Sequence, residues 1–246
     1  MRALPLVLAL FPLAAAAQDA SAPKLGPDAI PVTADTAYLR ANPAPDYWAF
    51  ASFVKPQFTT SACSIATVTA ALNGLAGLPP HAEDTVMTQP QLLDLVGDAN
   101  WAALSAEGGD GVAFAQLESF AAKAAAALGM DLTVSSFHPD AATPETLDQT
   151  RSLLATNEAG ADDAMMVYFN QGVVTGDWDG PHISLIGAYD ATLDRVLILE
   201  VDQEWYVPYW TPVPVLLDAM VKPTSAEHGP LEGQTGGFVR LAPTSS

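Results

Sequence analysis

Apolar positions along this chain follow two periods, and the change from one to the other divides it. Between Pro56 and Leu75, Ile65, Val68, Leu72 and Leu75 recur at helical spacing. That predicts a buried helix opening at Cys63, with Thr60 and Ser61 as N-cap residues and an end near Asn73 and Gly74, before Pro79-Pro80. Thr88 to Val96 predicts a short helix with Pro90 in its first turn, and Phe114 to Leu128 a longer, alanine-rich one closed by Gly129. Leu132 to Phe137 reads as a strand, Pro144 to Thr156 as a helix, and Ala164 to Asn170 as a buried strand. The segment GVVTGDWDG at 172 to 180 reads as a loop. After it the period drops to two: HISLIGAYD and RVLILEVD predict a hairpin of apolar strands turning around residues 191 to 194. VPVLLDAMV predicts one more short helix and GGFVRLA a last strand. Helices first and antiparallel strands afterwards is the order of an α+β fold.

The ends of the chain change the picture in a different way. Residues 1–17 carry one Arg, an apolar run from Ala3 to Leu13 and small residues ending at Ala17, which is the pattern of a secretory signal peptide. The run is too short to span a bilayer, which takes ~20 apolar residues. Export to the periplasm or the medium is therefore expected, with no membrane partner after processing. Residues 18–45, rich in Ala, Pro and Asp, are expected to form a poorly ordered arm, and 46–246 one folded domain.

Charge narrows the partners. With 9 basic against 28 acidic residues the formal net charge is −19, which disfavours nucleic acid and anionic membranes. The acids are scattered as on a solvating surface. His81, His138 and His228 lack metal-ligand spacing, and GGDG at 108 to 111 lacks the Lys of a phosphate cradle, so neither a metal nor another cofactor is expected.

The chain has a single cysteine, so no disulfide can form within it, and a free thiol in an oxidising compartment needs a reason to persist. A thiol in the first turn of a helix meets unpaired N–H groups and the positive end of the dipole, which favour its reactive, anionic form. The hairpin supplies candidates for its base. Across the turn His182 faces Glu200 or Asp202, and strand alternation puts both acids on one face. An imidazole held by a carboxylate is what a cysteine nucleophile requires: the ring takes the thiol proton, and the acid fixes its tautomer.

Three stretches resemble a known family: Gln57 and Cys63 at the helix opening, GVAFAQLESFA at 111 to 121, and PHISLIGAYDATLDRVLILEVDQEWYVPYW at 181 to 210. They are similar to the catalytic domain of phytochelatin synthases, members of the papain-like cysteine peptidase clan. The resemblance covers roughly residues 46 to 220. It implies Cys63 as nucleophile, His182 as general base and Gln57 as oxyanion-hole side chain, with Glu200 where the family has Asp. It also implies glutathione as substrate: the thiolate attacks the Cys–Gly carbonyl, glycine leaves, and a γ-glutamylcysteinyl thioester is resolved by water or a second glutathione. Similarity to short bacterial members, which lack a Cys-rich C-terminal region, implies hydrolysis with little polymer synthesis. The chain departs from the family at Ser64, usually Gly, and at Gln203, usually Arg. With so few cations, Lys55 and Arg151 are the candidates to hold a substrate carboxylate. Two other readings stay open: a papain-like peptidase or amidase on another small peptide, and a non-catalytic secreted protein binding a peptide or metal. The oligomeric state is open too, a homodimer among the options.

Overall fold

The computed structural model describes residues 24–244; the signal peptide assigned to residues 1–17 lies outside them. The first part of the chain holds β1 (Ile30–Pro31), α1 (Ala37–Ala41), α2 (Pro45–Phe50), α3 (Cys63–Ala76), α4 (Gln89–Val96), α5 (Ala99–Leu104) and α6 (Phe114–Ala127). The second holds β2 (Leu132–Phe137), α7 (Pro144–Asn157), β3 (Ala164–Asn170), α8 (Gln171–Thr175), β4 (Pro181–Asp190), β5 (Arg195–Leu199), β6 (Tyr209–Pro212), α9 (Val213–Val221) and β7 (Gly237–Pro243). The strands form one antiparallel sheet in the order β1-β6-β5-β4-β3-β7-β2. An α+β fold with an antiparallel sheet is therefore what the chain adopts.

Two apolar layers cover the sheet. On one face Ile65, Val68 and Leu72 of α3, with Leu92, Trp101, Leu117 and Phe120, pack on Ile183, Leu185, Leu197 and Leu199. On the other, Leu154 of α7 and Leu216 and Met220 of α9 pack on Met165, Val167, Ile186 and Ile198. Strands β3, β4 and β5 are thus buried on both faces, which is why they read as continuous apolar runs rather than alternating ones. Thr67 in the middle of α3 donates to the Ile183 carbonyl at 3.0 Å and fixes the helix along β4.

A β-bulge interrupts the hairpin. Leu185 pairs with Leu199 and Ile186 with Ile198, then Ala188 with Leu197, leaving Gly187 unpaired. A Cβ at Gly187 would lie 2.5 Å from Leu199 Cγ, so only glycine fits there. Because of the extra residue, Ala188 joins the α3 layer with Leu185 and Ile183, while Tyr189 joins Ile186 on the opposite side.

The arm expected over residues 18–45 lies outside the described residues up to 23; over 24–45 the chain departs from the poor order expected. Val32 N–H donates to the Pro208 carbonyl at 2.8 Å, β1 pairs with β6, and Leu39 and Ala44 are buried. Asp35 forms an ion pair with Arg195 at 2.6 Å, and the Arg195 guanidinium lies 4.6 Å from the centre of the Trp210 ring. Backbone pairing and an ion pair to a buried arginine order a segment whose composition alone favours disorder. The segment 172–180 also differs from the loop expected: Asn170 caps α8 through its side chain, accepting from Val173 N–H at 3.3 Å.

Behind α3, Asp46 of α2 is fully enclosed. Asn157 Nδ2 donates to Asp46 Oδ2, while Asp46 Oδ1 and Asn157 Oδ1 are buried without partners. A proton on the acid supplies a donor for this pair. Burial, with Asp163, Glu158 and Asp162 nearby, pushes Asp46 up to about 9. The folded state thus binds a proton that the unfolded chain releases above 3.8. Stability from this group is complete below that pH and is lost progressively as pH rises to about 9. Asp46→Asn is expected to flatten this slope, so that its Tm falls less between pH 5 and pH 9 than that of the parent in thermal melts.

Candidate active site

Cys63 is the first residue of α3 and half-buried. The expectation that Thr60 and Ser61 cap this helix is corrected. The N-cap is Ala62, and no side chain caps α3. Thr60 Oγ1 donates instead to Glu107 at 2.8 Å and Ser61 Oγ to the Gly109 carbonyl at 2.6 Å. Together with Thr59, which donates to the Ser105 carbonyl at 2.6 Å, they tie the approach to α3 onto the 105–111 loop. Without a side-chain cap, the first-turn N–H groups beside the sulfur remain free for an anion.

Ser64, where the resembling family has glycine, is buried, and its hydroxyl accepts from Trp101 Nε1 at 2.9 Å. Trp101 stacks on Phe120 at 4.9 Å, so α5 and α6 hold the residue beside Cys63. Ser64→Ala would leave a buried indole N–H unpaired. A loss of about 1–3 kcal/mol is expected in denaturant unfolding, with the alkylation rate of Cys63 nearly unchanged.

His182, near the start of β4, is 3 % exposed. Its Nε2 lies 2.6 Å from Glu200 Oε1 and 3.0 Å from Ser184 Oγ. Cys63 lines the same cleft as His182, and its presence there raises the imidazole pKa. Burial alone would push the imidazole toward its neutral form. The Glu200 charge, with Cys63 and the hydrogen bond to Glu200, overcomes it and pushes His182 up to about 10, which favours the imidazolium.

Glu200 is completely buried. It accepts from His182, from Ser184 Oγ at 3.2 Å, from Asp202 N–H at 2.7 Å and from Gln171 Nε2 at 3.1 Å. Burial opposes its charge, but His182 and these donors win, holding the carboxylate below its usual range. Between the two acids left open by the hairpin, Glu200 is the one on His182. The strand that would have carried Asp202 to the same face stops at Leu199, because the chain turns so that Asp202 offers Glu200 its backbone N–H. The Asp202 side chain lines the cleft instead, and burial raises it above the ordinary aspartate range.

Gln57 stands across the cleft, held by its N–H to the Val201 carbonyl at 2.8 Å. Its Nε2 donates weakly, at 3.3 Å, to the Thr60 carbonyl, and its Oε1 is buried without a partner. Of the proposed carboxylate-holding residues, neither reaches the cleft. Lys55 donates to the Ser52 carbonyl, and Arg151 is held by Asp194 at 2.7 Å and Asp148 at 3.1 Å.

Sequence reasoning missed three neighbours. Ser184 and Gln171 complete the bonds to Glu200; Ser184 carried the only signal, two residues beyond His182 on one strand face. Tyr168 of β3 is 2 % exposed, lines the cleft beside Cys63, and its hydroxyl has no partner. Among the described residues no group of three or more His, Cys, Asp and Glu side chains is placed to hold a metal ion.

A thiol at an uncapped helix N-terminus, an imidazole on the neighbouring strand and a buried carboxylate behind the ring form the arrangement of a cysteine nucleophile used in acyl transfer. The family model described as Phytochelatin synthase matches residues 34–229. The chain belongs to the phytochelatin synthase family, whose enzymes transfer or hydrolyse γ-glutamylcysteine units of glutathione. No curated protein matches it.

Proposed function

We propose that this protein is an exported, papain-like thiol hydrolase that removes glycine from glutathione through a γ-glutamylcysteinyl thioester on Cys63, with water as its main acceptor. The observation that carries the reading is the buried His182–Glu200 pair at 2.6 Å, set in a cleft that Cys63 at the head of α3 also lines. Export rests on the N-terminal sequence pattern. The preference for water rests on the resemblance to short bacterial relatives.

In this mechanism the Cys63 sulfur, its proton held by His182, adds to the Cys–Gly carbonyl. The oxyanion is met by the Cys63 backbone N–H and the Gln57 amide. The C–N bond then breaks, the imidazolium gives its proton to the departing glycine nitrogen, and the acyl group stays on sulfur. Water, deprotonated by His182, adds to the thioester; the C–S bond breaks and γ-glutamylcysteine leaves. Glu200 keeps one ring nitrogen occupied, so the other does the proton transfer.

The test is to incubate the protein with reduced glutathione, measure free glycine, and identify the acyl product by mass spectrometry. Glycine and γ-glutamylcysteine in equal amounts support the reading. Longer γ-glutamylcysteine polymers as the main product overturn its hydrolytic part, and no glycine removes glutathione as substrate.

A further inference from the structure

Cys63 stands where two cavities meet. One, of about 340 Å³, runs along Gly109 to Val112 and includes Tyr168, Glu227 and His228. The other, of about 380 Å³, is lined by Gln57, His182, Asp202, Trp205 and Tyr206. They share Thr60, Cys63, Trp178 and Pro181. Acyl transfer makes them unequal. The departing amine has to take its proton from His182, so the leaving group occupies the cavity that His182 lines, and the acyl part the other.

The leaving-group cavity holds the single Lys or Arg that lines either one among the described residues, Lys24. Its ammonium is 2.5 Å from Asp177 Oδ2 and sits 4.9 Å and 4.7 Å from the centres of the Trp205 and Tyr206 rings. Tyr206 Oη also donates to Asp177 Oδ2, at 3.0 Å, which fixes the anchor. An ammonium has three donors. Asp177 takes one, and the side chain is 47 % exposed and lines this cavity, so the others remain available to a ligand.

We propose that Lys24 receives a free carboxylate on the leaving group, so that the site selects substrates whose departing amine ends in a carboxylate, as glycine does. The identity of that leaving group rests on the glutathione reading above; the carboxylate preference does not. Asp177 and Asp202 oppose the incoming charge, and the site is open to water. The selectivity is therefore that of an exposed ion pair, about threefold.

Alkylation of Cys63 tests this without turnover. Iodoacetate and iodoacetamide both form the S–C bond with loss of iodide, but only the first carries a carboxylate. Lys24→Gln is expected to slow iodoacetate about threefold and leave iodoacetamide unchanged. Asp177→Asn, which removes the competing carboxylate, is expected to quicken iodoacetate. The proposal is overturned if the two reagents slow together in Lys24→Gln, if neither slows, or if Asp177→Asn slows iodoacetate. With glutathione and its C-terminal amide, Lys24→Gln should raise KM for the acid alone, at constant kcat. A wild-type protein that releases no glycine removes glutathione, while the two alkylating reagents still decide the role of Lys24.

Discussion

Cys63→Ala is expected to lose glycine release from glutathione by about 10⁴-fold or more, down to the background of the cleft alone. No other side chain can substitute, because the sequence has a single cysteine and the acyl group needs a covalent carrier. Cys63→Ser keeps the shape and a polar, protic side chain but offers a far weaker nucleophile, and is expected to fall as far. Both variants should melt near the parent temperature, since Cys63 is half-buried at the edge of the core. Residual turnover within tenfold of wild type in either would remove the thiol mechanism.

Glu200→Gln is the second large effect. The amide keeps the volume of a fully buried group but removes the charge that overcomes burial at His182. Without it desolvation dominates and the imidazole pKa falls from about 10. The sign of the pH effect follows: the imidazolium, present in the parent until about pH 10, is lost at a lower pH in the variant. Its alkaline limb for glycine release should move down the pH scale, because the departing glycine nitrogen takes its proton from the imidazolium. Glycine release is expected to fall about 10²- to 10⁴-fold, the range set by loss of a triad carboxylate. Asp202→Asn is the control, since Asp202 reaches Glu200 only through its backbone N–H. A drop in Asp202→Asn equal to that in Glu200→Gln would reverse the assignment of the acid.

What could be read in advance follows the strength of local signals. Helices α3, α6 and α7 and the strands of the hairpin have long apolar periods, and each lies within a few residues of its expected place. The pairing of His182 with an acid was legible because both belong to one hairpin. Which acid was not, since that depends on where β5 stops and on the unpaired Gly187. The two-residue strand β1 and the four-residue β6 carry too little period to be seen, and α1, α2 and α5 are one or two turns long. Lys24 was invisible for another reason. It reaches the cleft through the packing of a segment whose composition suggested disorder, and no spacing links it to Cys63 or His182. Ser61 and Thr60 misled because a residue fit to cap a helix can equally bond a loop that comes close only in the fold.

The unpaired Gly187 lets β4 serve two masters with conflicting geometry. Its first half obeys the alternation that aims an imidazole, and its second half the alternation that fills two hydrophobic layers. One glycine lets both hold at once, like a joint that offsets two rods without turning either. Changes in length at the hairpin tip, residues 191 to 194, therefore stop at the joint, and the aim of His182 is insulated from drift in the most exposed part of its own strand pair.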